Sequence, residues 1–285
     1  MTAGRILKGI EFSRPGGTAP LLLDLHLPAG LPGESGFPAV VHFHGGGWRT
    51  GERSSLGPVV DGFGLGPIGQ LVEAGFVVAS ADYRLSSAAT FPAQLLDAKA
   101  AVRWLRGHAA EYNVDPGRIY AWGDSAGGHL ASLVGLTAGA GMNGGTGDAV
   151  SAVAAWYPPT DLNRMAAQAR RDAVTRADDP GSREALLLGA RPADAPDKAA
   201  AASPLNHVHQ DAPPFFLAHG TADRYVPAAQ STTFAAALEA AGAAVELLLI
   251  EGADHMWSHP DGDSAAAGQA TAATIDFFRR QAQKH

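Results

Sequence analysis

The chain has no cysteine among its 285 residues, which excludes disulfides, thiolate-held metals and a cysteine nucleophile together. It also has no excess of positive charge. The formal net charge is −7 at pH 7, which argues against a nucleic-acid partner or an anionic membrane surface. No apolar stretch approaches the roughly 18 to 20 residues of a membrane span, and the run after Arg5 is too short for a signal peptide. These absences make the cytoplasm the expected compartment, with no membrane partner. What is present is length enough for a well-buried core, and 46 % hydrophobic residues to build it.

Short apolar runs recur along the chain and predict strands over 21–27, 38–43, 76–81, 118–122, 149–156, 214–218 and 245–250. Helical spacing lies between them, over 67–74, 126–136, 227–241 and 263–281. Another helix opens after Phe91-Pro92, with Leu95, Ala98, Val102 and Leu105 on one stripe and Lys99, Arg103 and Arg106 off it. Alternation of this kind implies an α/β fold with a mostly parallel central sheet covered on both faces. The early strands, with no helix between them, suggest an antiparallel start. The segment 161–207 breaks the pattern. It holds seven Lys/Arg and seven Asp/Glu, so its arginines are balanced and predict no basic patch. We expect one domain over 1–285, in which 161–207 is a small helical cap over a pocket; the alternative is a surface excursion.

The chemistry centres on Gly123-Asp124-Ser125-Ala126-Gly127-Gly128, which contains the G-x-S-x-G pattern of a serine on a sharp strand-to-helix turn. Glycines flank such a serine because the turn leaves no room for side chains. A serine hydroxyl is a poor nucleophile, so it needs a base within reach and an acid to orient the base. On this kind of turn the chain order is serine, then acid, then histidine. Asp223 follows the strand over 214–218, in His219-Gly220-Thr221-Ala222-Asp223, and is the candidate acid. His255 follows the strand over 245–250 and is the candidate base, with His259 as the runner-up. His129, on the helix leaving the turn, reads as packed. The oxyanion donors are the Ala126 N–H and those of the Gly45-Gly46-Gly47 loop. His44 reads as a brace for that loop.

Two other patterns carry less. Gly64-Leu65-Gly66-Pro67-Ile68-Gly69 matches a dinucleotide-binding loop formally, but no strand precedes it and Pro67 lacks a donor N–H. His255 and His259 beside Asp254, Asp261 and Asp263 could be read as a metal cluster, yet no helix puts the histidines on one face.

His-Gly-Gly-Gly-Trp at 44–48, Gly-Asp-Ser-Ala-Gly-Gly-His at 123–129, His-Gly-Thr-Ala-Asp at 219–223 and Asp-His-Met-Trp at 254–257 together resemble the α/β-hydrolase superfamily. Within it the chain is similar to bacterial carboxylesterases related to hormone-sensitive lipase. Asp82-Tyr83-Arg84-Leu85 and Phe91-Pro92-Ala93-Gln94 point to the feruloyl and acetyl-xylan esterase branch. The resemblance implies a serine hydrolase without metal or cofactor, acting on small-molecule esters through Ser125, His255 and Asp223. It also implies that Tyr83 and Arg84 brace the sheet end. Trp48, Tyr157 and Trp257 are the expected pocket residues, with Trp156 and Met256 beside them. An arylformamidase or amidase, and a small-ligand binder that does not turn over, are the alternatives. The strand over 245–250 could lie at a sheet edge and pair two copies into a homodimer.

Overall fold

The computed structural model describes residues 4–17, 19–57, 60, 65–139, 147–258 and 265–284. Gly64, His259, Asp261 and Asp263, on which some of the expectations above fall, lie outside the described residues. Eight strands form one sheet: β1 Arg5–Ser13, β2 Leu21–Leu27, β3 Phe37–Phe43, β4 Val77–Ala81, β5 Val114–Asp124, β6 Val153–Trp156, β7 Phe215–Gly220 and β8 Val245–Ile250. Their order is β1-β2-β4-β3-β5-β6-β7-β8. β1 and β2 are antiparallel to each other, β2 is antiparallel to β4, and the rest of the sheet is parallel. This is the α/β-hydrolase architecture, with its antiparallel start.

Side chains alternate along each central strand, so one sheet feeds two cores. Val41, Val77, Ile119, Phe215 and Leu217 point to one face, while Val40, Val78, Tyr120, Trp122 and Phe216 point to the other. The first face is covered by α2 (Ala93–Gly107), α3 (Ala126–Leu136) and α7 (Ala229–Ala240). The second is covered by α1 (Pro67–Glu73) and α8 (Ala265–Ala282). Burial on both faces is why the parallel strands read as continuous apolar runs.

β1 was not predicted. Its residues are mostly exposed and its pairing with β2 shifts register twice, so no apolar alternation survives in the sequence. A second difference concerns Lys99. It lies off the apolar stripe, but α2 packs on more than one side. Lys99 is fully buried, with Nζ donating to the Thr137 carbonyl at 2.5 Å and lying 3.3 Å from Asp148.

The segment 161–207 is a string of short helical turns. They are α4 (Met165–Gln168), α5 (Arg183–Leu188), α6 (Pro196–Ala201) and 3-10 turns at Pro192–Asp194 and Pro204–His207. Ser182 caps α5 by accepting the Ala185 N–H, and Gly189 ends it in the left-handed conformation. Leu187 and Leu188 anchor it in the core, and the Leu187 carbonyl accepts the Phe91 N–H at 2.8 Å.

Candidate active site

β5 runs into α3 through Ser125, whose φ of 51° and ψ of −117° are strained for a residue with a side chain. Close packing enforces the turn. A Cβ on Gly127 would strike the Phe43 carbonyl oxygen, and one on Gly123 would strike the Gly127 backbone. The sequence therefore has glycine at both places because two backbones cross there. The Ser125 N–H donates to the Trp156 carbonyl at 2.8 Å, which ties the turn to β6.

The loops after β7 and β8 bring two more side chains to the serine. His255 Nδ1 lies 2.7 Å from Asp223 Oδ2, and His255 Nε2 lies 3.0 Å from Ser125 Oγ. A carboxylate only accepts, so Nδ1 carries the proton and Nε2 presents its lone pair to the serine hydroxyl. Asp223 Oδ1 is occupied separately, accepting the N–H groups of Tyr225 and Val226 at 2.8 Å each. Burial opposes charge on Asp223. The His255 and His219 rings against Oδ2 outweigh it and hold the carboxyl well below the usual carboxylate range.

His255 is itself clamped. The Tyr157 ring lies 4.6 Å from it and the Tyr225 ring stacks at 5.2 Å. Asp254 caps its turn by accepting the His255 N–H at 2.8 Å and holds Arg224 at 2.6 Å.

The Gly45-Gly46-Gly47 loop follows β3 and faces Ser125. Gly46 has φ 104° and Gly47 φ 61°, both left-handed, and a Cβ on Gly46 would strike the Thr50 carbonyl. Among the described residues the N–H groups of Gly46 and Gly47 find no acceptor, and the Ala126 N–H opens α3, where helix geometry leaves it free. His44 Nδ1 donates to the Gly45 carbonyl at 2.7 Å while its ring stacks on Tyr83 at 4.3 Å. The Tyr83 hydroxyl donates to the His44 carbonyl at 2.9 Å, and Arg84 holds Asp97 through two bonds of 2.7 Å. Both residues brace the sheet end.

A cavity of about 130 Å³ opens beside Ser125. Gly46, Gly47, Ala126, Trp48 and His255 line it, as do Met256, Arg183 and Glu184. Two expected pocket residues are elsewhere. Tyr157 and Trp257 are fully buried, packed against each other at 4.8 Å behind His255, and Trp156 lies beneath Trp257 at 5.5 Å. Both rings are taken up by an aromatic cluster under the His255 ring: Tyr157 lies 4.6 Å from it, and Trp257 packs on Tyr157 and Trp156. Arg183 and Glu184 were missed because no local pattern marks them. Only the path of the segment 161–207 brings α5 over Gly47.

His129 is packed, as its helix position suggested, and it joins Trp48 of the cavity wall to the segment 161–207. The Trp48 indole N–H donates to its Nδ1 at 3.2 Å, so Nε2 carries the proton and donates to the Ala202 carbonyl at 2.6 Å. Burial pushes its pKa down to about 4, which keeps it neutral.

Comparisons with known proteins agree with this geometry. A family profile described as BD-FAE matches residues 23–238. Esterase LipQ of Mycobacterium tuberculosis is 36% identical over 235 residues, which are 81% of this chain and 52% of that protein. A solved structure titled as a truncated carbohydrate esterase from gut microbiota superposes with a TM-score of 0.82 at 29% identity, covering 98% of this chain and 96% of that one. A thermophilic esterase of Thermogutta terrifontis, solved with butyrate bound, has a TM-score of 0.73 at 30% identity over 95% of this chain and 93% of its own. Esterase 2 of the same organism has also been solved phosphorylated by paraoxon. The chain spans about half the length of the curated relatives it matches. No helix among the described residues is long and apolar enough to cross a membrane.

Proposed function

Because the chain belongs to the BD-FAE family of α/β hydrolases, we propose that it is a serine carboxylesterase hydrolysing small-acyl esters through a covalent acyl-enzyme. The observation that carries this reading is the continuous hydrogen-bonded line from Ser125 Oγ through His255 to Asp223. His255 Nε2 takes the hydroxyl proton as Oγ attacks the ester carbonyl carbon. The negative charge that develops on the carbonyl oxygen is received by the free N–H groups of Gly46, Gly47 and Ala126, which need no reorganisation to meet it. Asp223, held ionised, stabilises the imidazolium. His255 then returns the proton to the leaving alkoxide, the C–O bond breaks, and the acyl group stays on Oγ. Water, deprotonated by His255, repeats the cycle and frees the carboxylic acid.

The size of the cavity supports the restriction to small acyl groups. About 130 Å³ is well under the roughly 300 to 1,000 Å³ of pockets that enclose drug-sized ligands. A cytoplasmic location and a homodimer belong to the same reading; the dimer is supported by β8, which lies at the sheet edge with Leu247 and Leu249 partly exposed. The experiment is turnover of p-nitrophenyl esters from acetate to decanoate, with wild type beside Ser125→Ala. We expect a steep preference for acetate to butyrate and a loss on the order of 10³-fold or more in the variant. Equal turnover by the variant contradicts the proposal. Silence at every chain length directs the search to formamides.

A further inference from the structure

A second, shallower cleft of about 480 Å³ adjoins the serine's cavity. It shares Arg49, Arg183 and Glu184 with that cavity and continues over Arg176 and Asp179. Composition predicts no basic patch here, but the charges of the segment 161–207 are unevenly used. Arg164, Arg170 and Arg191 each hold an aspartate, at 3.4, 2.9 and 2.6 Å. Among the described residues no carboxylate lies within ion-pair distance of Arg49, Arg176 or Arg183. Arg49 and Arg176 are exposed and Arg183 is half-buried. Arg183 lies 5.4 Å over the Tyr225 ring, the same ring that stacks on His255.

The acidic members of the cleft do not cancel this charge. Asp179 is a single carboxylate, and burial pushes the Glu184 carboxyl up toward its neutral form against the pull of Arg183. Three guanidinium groups facing one cleft, in a chain of net charge −7, make a local positive field at the mouth of the site. Guanidinium forks match carboxylate and phosphate oxygens.

We infer that this cleft receives an anionic group, a carboxylate or a phosphate, carried on the alcohol portion of the substrate. The inference rests on the esterase reading in one respect: with the acyl group filling the small cavity, the alcohol extends from Ser125 past Gly47 into the cleft. The substrate class is then small-acyl esters of anionic alcohols.

Binding to Ser125→Ala protein tests this without turnover. The probes are 4-acetoxybenzoate, 4-acetoxyphenyl phosphate and the uncharged methyl 4-acetoxybenzoate, titrated calorimetrically at low ionic strength. We expect at least one anion to bind about tenfold or more tightly than the methyl ester, and the two anions to differ enough to say which oxyacid the cleft prefers. Adding Arg176→Glu, at an exposed site that packing does not need, should remove most of that advantage and leave methyl ester binding unchanged. Salt at about 0.5 M should shrink it too. Equal or tighter binding of the methyl ester overturns the inference. So does an anion advantage that survives both Arg176→Glu and Arg49→Gln. Wild-type turnover separates the two readings. Serine-dependent hydrolysis with no preference between the esters keeps the esterase and removes the anion site. Anion-selective binding without hydrolysis does the reverse.

Discussion

The loops that carry Ser125, Asp223 and His255 and the segment 161–207 meet over the same cavity, yet they are held in different ways. In the loops the reacting side chains are held from several sides: Asp223 accepts from three partners and lies 3.3 Å from His219, His255 is clamped between two rings, and Asp254 caps the turn that carries it. The segment has helices of only four to six residues and ion pairs such as Arg191–Asp194 that are about half exposed. It rests on a few buried anchors, among them Leu187, and the Gln230 side chain that accepts the Thr160 and Asp161 N–H groups at 2.6 and 2.7 Å. The difference teaches where each task resides. On the proposed reading, bond-making geometry belongs to the more closely held loops, and choice of substrate to the region with charges left over.

The largest expected effect sharpens the first half of that contrast. Asp223→Asn keeps the shape but removes the charge that fixes the His255 tautomer, so kcat should fall on the order of 10³- to 10⁴-fold while the melting curve moves little. A parallel loss of folding would mean that Asp223 is chiefly structural.

The next effect comes from His129, which ties the segment to the glycine loop beside the serine. His129 links Trp48 of the glycine loop to Ala202 of the segment. Its folded pKa of about 4 lies below the ordinary 6.5, so on acidification the unfolded state takes up the proton first. Stability is complete above about pH 6.5 and falls as the pH drops toward 4, by about 3 kcal/mol at most. Burial lowers the His44 pKa as well, which acts in the same direction. Urea midpoints between pH 7.5 and 4.5 should show the slope, and His129→Gln should flatten it.

Gly127→Ala is a smaller but local break. Its methyl group meets the Phe43 carbonyl, and the cost should be about 1 to 3 kcal/mol, seen as a lower urea midpoint together with lost activity. The same exchange at Gly181, where an added Cβ meets nothing within 4 Å, should cost far less. Smallest of all is Arg191→Ala. Its partner Asp194 is as exposed as it is, so neither melting nor turnover should change measurably.

Legibility in the sequence divides along the same line. The strand ends, the glycine turn and the order serine, acid, histidine were readable because each follows from a local rule of backbone or chain order. Ser125, Asp223 and His255 were therefore readable as candidates, and the structure brings them into one hydrogen-bonded line. The aromatic wall was not readable. Tyr157 and Trp257 sit in the expected loops, but they pack as a buried cluster behind His255, and no sequence pattern signals which rings join it. Arg183 and Glu184 escaped for a different reason: which members of a balanced charge set pair with each other is decided by how the short helices stack. β1 escaped because an exposed edge strand with two register shifts has no apolar period to read.

The central claim is that Ser125 is a nucleophile activated by His255. Its most direct test is covalent: treatment with paraoxon followed by intact-mass measurement and peptide mapping. The account predicts one diethyl phosphoryl group per chain, located on Ser125, appearing in step with loss of esterase activity and absent from His255→Ala. Labelling elsewhere, or undiminished labelling in His255→Ala, would contradict it.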